Sequence, residues 1–433
     1  MTLLTQPSLP RACLFSLPWV IIASAMVVES DAYRYVTIIF ALVAVIKLRP
    51  DVRRVSREWL AILCYTWAAY VVVRFSYGVL VYGENGTSEW LYLFPVFFPL
   101  VGVALFASRE YIYTAATWLI VLSLIALLLT LDFETLRSGE RAAPLFHNNP
   151  IHAGVGSGMI FLSSVFWLLY SGETGRLQGP TKWPILAVGL ATATLSLVGI
   201  VGAHSKGVWL ALAATFVFLG ILCLFHYAGR WKIPLLAALV VASLTVVTLA
   251  YPYVEKVAGA TIRSSTDLIE DALSSAAPLQ AMQRSIDSPS TPSSMEERLK
   301  LLSNAIEVSQ GAPWIGWGNL WLREWKQTTY NDVSHIIIHN GYLEIFVRHG
   351  TLGILMLAIF SFTAAKRVDD AHRSGRVSSS LAGFIYSISF YFFCTIATNS
   401  NNRLAIGESF FILMGATTFA LTSGRTCMVH RPS

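Results

Sequence analysis

The sequence predicts an all-α integral membrane protein with about 12 transmembrane helices and one long extramembrane loop. Three observations carry that prediction. Of 433 residues, 55% are hydrophobic and only 13% charged, whereas a soluble domain has about 25% charged residues. Apolar stretches of about 20 residues, the length needed to cross roughly 30 Å of hydrocarbon, recur along the chain. One polar stretch, residues 252–335, interrupts them.

The apolar stretches fall at 13–29, 33–48, 58–80, 90–107, 111–131, 151–171, 183–202, 206–227, 232–251, 337–365, 378–398 and 404–422. The first two are short, and Arg74 lies inside the third. Ala23-Ser24-Ala25 has the small residues of a signal cleavage site, but removing the first stretch would leave eleven spans and spoil the alternation of charge. With the N-terminus inside, the inner connections hold 17 Lys and Arg residues, from Arg11 to Arg431. The short outer connections hold six: Arg34, Arg74, Arg137, Arg141, Lys206 and Arg403. Such a bias places both termini in the cytoplasm and the long loop outside. The chain thus reads as a single polytopic domain, 1–433, with the loop inserted between spans 9 and 10. The net charge of +6 is mostly this bias and calls for no nucleic-acid partner. None of the five cysteines lies in the loop, so no disulfide framework is expected.

Within the loop, serine-rich punctuation marks 252–292 as loose, with short helical pieces. Residues 294–310 read as a helix. Ser294 and Glu297 have the spacing of a capping box, and Met295, Leu299, Leu302 and Ile306 form an apolar stripe at helical spacing. Gly311-Ala-Pro313 stops the helix, and Trp314-Ile-Gly316-Trp317-Gly318 follows, an aromatic turn suited to a membrane interface.

The chemistry-bearing residues gather at the outer ends of spans. Lys206 sits in a very short outer turn, where positive charge is disfavoured. The plainer reading is a lysine snorkelling to the interface; the sharper one is a phosphate ligand at a helix N-terminus. Arg298, beside the apolar stripe, is a rim residue or a fork for a lipid diphosphate. Arg141 precedes Phe146-His147-Asn148-Asn149-Pro150 at another outer span start. His339 lies where the tenth span begins, and an imidazole is the side chain suited to general-base work near neutrality. His335 and His339 are one helical turn apart, but no acidic residue joins them as a metal ligand would, so no metal and no cofactor are expected. Asn340, Tyr342, His147, Asn148, His335 and Arg348 form a second tier of candidates. Arg348 and His349 lie well inside the tenth span, where charge normally faces protein or water. Gly350 and Gly353 are small residues for close helix packing.

These elements resemble those of the bacterial O-antigen ligase family. Arg298-Leu-Lys-Leu-Leu302 is similar to its R-x-x-x-L element. His339-Asn340, nine residues and Gly350-Thr-Leu-Gly353 are similar to its H-[N/S/Q]-x9-G-x-x-G element. Ala203-His-Ser-Lys206-Gly-Val-Trp-Leu210 resembles the short S-R-G-x-W-L turn of the wider ligase and polymerase superfamily, with Lys in place of Arg. Phe146 to Pro150 resembles a less specific Asn-Pro element.

The resemblance implies a glycosyltransferase C-type architecture in the bacterial inner membrane, with the long loop in the periplasm. It implies metal-independent, inverting transfer of O-antigen from undecaprenyl diphosphate to a sugar hydroxyl of lipid A–core, in lipopolysaccharide biosynthesis. His339 would then be the base. Arg298, Lys206 and Arg141 would neutralise the diphosphate leaving group. Both substrates are lipids and would arrive laterally through the membrane. The same donor chemistry fits two other enzymes, an O-antigen polymerase and a protein O-oligosaccharyltransferase. A polysaccharide transporter should show internal repeats and broken helices at the bilayer midplane; no repeat is visible, and the candidates cluster at one face.

Overall fold

A computed structural model describes residues 9–86, 89–226, 255–256, 258–275, 277–333 and 337–429. The described residues are helical, with an isolated bridge between Val28 and Phe146. Two short helices come first, α1 (Leu9–Ala23) and α2 (Ala32–Lys47), and the basic α3 (Arg49–Val55) follows. Next are α4 (Trp59–Tyr82), a 3-10 run (Glu89–Phe97) leading into α5 (Phe98–Ala107), α6 (Ile112–Thr130), α7 (Phe133–Ser138), α8 (Pro150–Glu173), α9 (Lys182–Gly202) and α10 (Lys206–His226). The long loop contributes a helix over 258–275 (α11), α12 (Pro278–Asp287), α13 (Ser293–Gly311) and α14 (Trp321–Trp325). The chain closes with α15 (Gly341–Arg373), α16 (Ser379–Thr398) and α17 (Ala405–Val429).

Among the described residues, nine helices are long and apolar enough to cross a membrane, and each coincides with an expected span. The first two expected spans are the 15-residue α1 and 16-residue α2. The ninth, 232–251, lies outside the described residues. Side chains such as Leu80 and Leu129 stand 83% and 73% exposed, which is favourable only against lipid. This is a multi-pass helical membrane protein. Arg74 does not end α4; it donates to the Tyr70 hydroxyl one turn earlier, at 2.7 Å.

The helices fold as two compact units. The first holds the chain up to Val208, with Leu355–Phe392 and the stretch from Asn401 onward. At its centre α8 is buried at every position from Ala153 to Leu162. Glycines permit this closeness, because lipid supplies no hydrophobic force between helices and contact depends on small residues. A Cβ on Gly158 would meet the Tyr391 hydroxyl at 2.0 Å, and one on Gly102 would meet Phe419 Cβ at 2.4 Å.

The second unit holds Trp209–Ile354 and Phe393–Ser400. Its core draws on the described residues of the serine-rich part of the loop. Met282 and Ile286 of α12 pack with Met295 and Leu299 of α13, and Leu268 of α11 lies against them. The predicted stripe on α13 therefore faces α11 and α12. A second row on the same helix, Leu301, Ala305 and Val308, packs on Trp321, Trp325, Ile338 and Val347. Helix α13 is buried on two sides. Its predicted capping box does not form. The helix starts one residue early, at Ser293, behind Pro292 with φ −58°, and no side chain caps it. Proline's fixed φ sets the start, so Ser294 falls inside the first turn.

Candidate active site

In the second unit, His339 is half-buried immediately before α15. Asn340 is the helix cap: its Oδ1 accepts from the Leu343 amide at 3.0 Å and its carbonyl from the Glu344 amide at 3.0 Å. The first bond satisfies an amide that a helix start otherwise leaves unpaired, and the second is the first bond of the helix. Tyr342 donates to the Phe393 carbonyl at 3.0 Å. His339 Nδ1 lies 3.3 Å from Oδ1 of Asn399, a residue that sequence reasoning missed because 60 positions separate the two. Helix α13 also holds the segment around Tyr330. Fully buried Asn304 of α13 donates to the Tyr330 carbonyl and accepts from the Tyr330 amide, at 2.8 and 3.0 Å. Arg298 lies on an exposed face of the same α13, one turn before Leu301 and Leu302. His335 lies outside the described residues.

Further along α15, Gly350 has φ 58° and ψ −155° and breaks the helix. The turn after α13 docks into the break. The Thr351 and Leu352 amides donate to the carbonyls of Pro313 and Trp314 at 2.8 and 3.0 Å, and the Trp317 amide donates to the Val347 carbonyl at 2.9 Å. Backbone groups freed by the break thus find partners, as burial demands. Two glycines make the approach possible. A Cβ on Gly350 would stand 2.4 Å from the Trp314 carbonyl carbon, and one on Gly316 would stand 2.3 Å from that of Arg348. The expectation of helix–helix packing at Gly350 is corrected: it admits a loop backbone. Gly353 is tight within its own helix, since its Cβ would meet His349 Cβ at 2.6 Å. Trp314 stands 74% exposed at the tip of this turn.

Arg348, 1% exposed, pairs with Glu344 at 3.2 Å and lies over the Trp321 ring, 4.9 Å from its centroid. His349 is also buried, at 2% exposure. The intramembrane charge read from the sequence therefore faces protein.

In the first unit, the other candidates occupy two joined turns. The Ala142 amide donates to the Gly202 carbonyl at 2.9 Å, drawing the 139–149 segment to the 203–205 turn. His204 adopts φ +48°, which turns the chain sharply, and α10 starts at Lys206, half-buried. Burial, and then the charge of Arg141, hold the His204 imidazole below its ordinary range. Arg141 and Lys206 thus flank one turn and put cationic charge beside a helix N-terminus, an arrangement favourable to anions.

The His147 and Asn148 side chains serve a brace. The Phe146 amide donates to the Val27 carbonyl at 2.9 Å. His147 Nε2 donates to the Met26 carbonyl at 3.1 Å, and its Nδ1 lies 3.5 Å from Glu29 Oε1. Asn148 donates to Glu29 Oε2 at 3.3 Å, and His152 contacts Oε1 at 2.8 Å. Burial raises the Glu29 carboxyl, but His152 and His147 outweigh it and hold it below the usual carboxylate range. Burial, despite the Met26 carbonyl and Glu29, holds His147 below the ordinary imidazole value. Asn149 caps α8 through the Ile151 amide at 2.8 Å, with Pro150 at the first helical position. The Asn-Pro element thereby has a helix-starting role.

A multi-pass helical protein with a packed polar insert and a histidine at the start of the following span defines the class. Residues 191–358 match the family model described as O-antigen ligase, and the resemblance read from the motifs is shown over that stretch. It contains Lys206, Arg298, His339 and the Gly350–Gly353 element, whereas Arg141, His147 and Asn148 precede it. The family supports a glycosyltransferase-type role in O-antigen and lipopolysaccharide synthesis. No curated protein matches the chain.

Proposed function

We propose that the protein is an O-antigen ligase: an inverting glycosyltransferase of the inner membrane that moves polysaccharide from undecaprenyl diphosphate to a sugar hydroxyl of lipid A–core at the periplasmic face. One observation carries the reading. Within the stretch that matches the O-antigen ligase family, His339 stands half-buried immediately before a helix capped by Asn340, with its Nδ1 facing the Asn399 oxygen. An imidazole so held suits a base.

In the reaction, the acceptor hydroxyl oxygen attacks the anomeric carbon from the side opposite the diphosphate. The carbon–oxygen bond to the diphosphate breaks and its electron pair leaves with undecaprenyl diphosphate. The hydroxyl proton passes to His339. The leaving group is already good, so acid assistance matters less than neutralising its charge. Arg298, Lys206 and Arg141 take that role, because cations preorganised where charge develops lower the barrier most effectively. Arg298 is suited to a bidentate grip on phosphate, and Lys206 acts as a point charge.

The test uses purified full-length protein, undecaprenyl-diphosphate glycan and lipid A–core, with EDTA present. The expected product is polysaccharide on lipid A–core. His339→Ala should insert normally and lose transfer by about 10²–10⁴-fold, the contribution of a general base. A lengthened lipid-linked glycan would make the protein a polymerase instead, and a glycosylated protein substrate would make it an oligosaccharyltransferase. Loss of transfer in EDTA with rescue by a divalent ion would overturn the assignment of the base role to His339 alone.

A further inference from the structure

We propose that Asn399 is a positioning residue for His339: it fixes the proton on Nδ1 and makes Nε2 the unprotonated nitrogen that takes the proton of the attacking hydroxyl. The inference rests on the base assignment above and adds the tautomer and the residue that sets it.

The argument runs through hydrogen-bond polarity. Asn399, 8% exposed, follows the last residue of α16. Its Oδ1 accepts from the Ser400 amide at 3.0 Å. A backbone N–H can only donate, so the amide atom facing it is the oxygen; the NH₂ group would place two donors against each other. The same oxygen faces His339 Nδ1 at 3.3 Å. A carbonyl oxygen only accepts, so Nδ1 carries the hydrogen. A neutral imidazole has a single N–H, and the lone pair therefore sits on Nε2. The contact is long for N–H···O, whose usual range is about 2.7–3.2 Å. When Nε2 takes the proton, the ring becomes cationic, and the Asn399 oxygen gains strength as acceptor for the Nδ1–H. The contact thus favours the protonated ring over the starting one, which is where a catalyst gains.

Asn399→Leu removes the acceptor while keeping similar bulk. Asn399→Asp keeps an acceptor for both the Ser400 amide and Nδ1 but adds negative charge. The Leu variant should lose about tenfold or more in kcat with the donor KM unchanged, less than the 10²–10⁴-fold of a missing base. The Asp variant should still transfer, with the acid limb of its pH–rate profile displaced to higher pH, because a carboxylate stabilises the imidazolium. A residue that only ended α16 would move neither the limb nor the kcat-against-KM split. Wild-type kcat in Asn399→Leu, or an unmoved acid limb in Asn399→Asp, would overturn the inference. His339→Ala is assayed alongside. If it turns over normally, the base assignment itself has failed; if it is inactive while Asn399→Leu is normal, only the positioning role has.

Discussion

At the scale of single residues, position in the fold separates buried cations from those at the protein surface. Arg348 is enclosed with Glu344 and Trp321. Burying two charges is offset only when geometry and further contacts are good, and removing one partner of such a pair costs about 3–5 kcal/mol. Arg34 is held likewise by the Glu408 carboxylate and by Asp31. Arg298 and Arg141 instead have exposed side chains, and Lys206 is half-exposed at a helix start. Arg298→Ala is expected to lower transfer by roughly 10²-fold, the scale of removing one preorganised donor to developing charge. Lys206→Ala should also be impaired, and Lys206→Arg tolerated because the charge is kept. Donor turnover measured for the three variants checks this. An Arg298→Ala enzyme with normal turnover would show that α13 acts only by packing.

At the scale of elements, the break in α15 ties the turn after α13 to the helix that begins beside His339. The three hydrogen bonds of the joint run between six backbone groups, so side-chain substitutions away from the glycines leave it intact. Gly350→Ala does not. A side chain there meets the Trp314 backbone, and the residue must hold a conformation costing about 1–3 kcal/mol for a non-glycine. We expect Gly350→Ala to lower the unfolding temperature in detergent and to reduce transfer, whereas Thr351→Ala, which loses a side-chain bond to the Pro313 carbonyl, should be mild. Unfolding of Gly350→Ala at the wild-type temperature would mean that the docked turn yields easily.

At the scale of the whole molecule, the disposition of basic residues predicts twelve spans with both termini cytoplasmic and residues 252–335 outside. Ser290 precedes α13 and Ser374 follows α15, and both are exposed. Cysteines placed at these two positions, in a background without the native ones, should label from outside and from inside respectively. The same side for both would remove the topology, and with it the periplasmic placement of His339.

The sequence alone determined the helical membrane class, nine of the spans, helix α13 and the resemblance to the O-antigen ligase family over residues 191–358. Each of these is local: hydropathy over about 20 residues, helical period, or a short motif. Helix α13 starts one residue ahead of the expected position 294, because Pro292 rather than Ser294 precedes its first turn. Only the tertiary structure decided the rest. Asn399 and Asn304 are ordinary polar residues in the sequence, and they matter because folding sets them against His339 and Tyr330. Gly350 and Gly353 looked like helix-packing residues, since a glycine's reason for being small depends on what comes near it. His147 and Asn148 looked like ligands, and folding gave them Glu29 as partner. Hydrogen bonds between distant segments leave no periodicity and no spacing in the chain, so nothing short of the folded structure could reveal them.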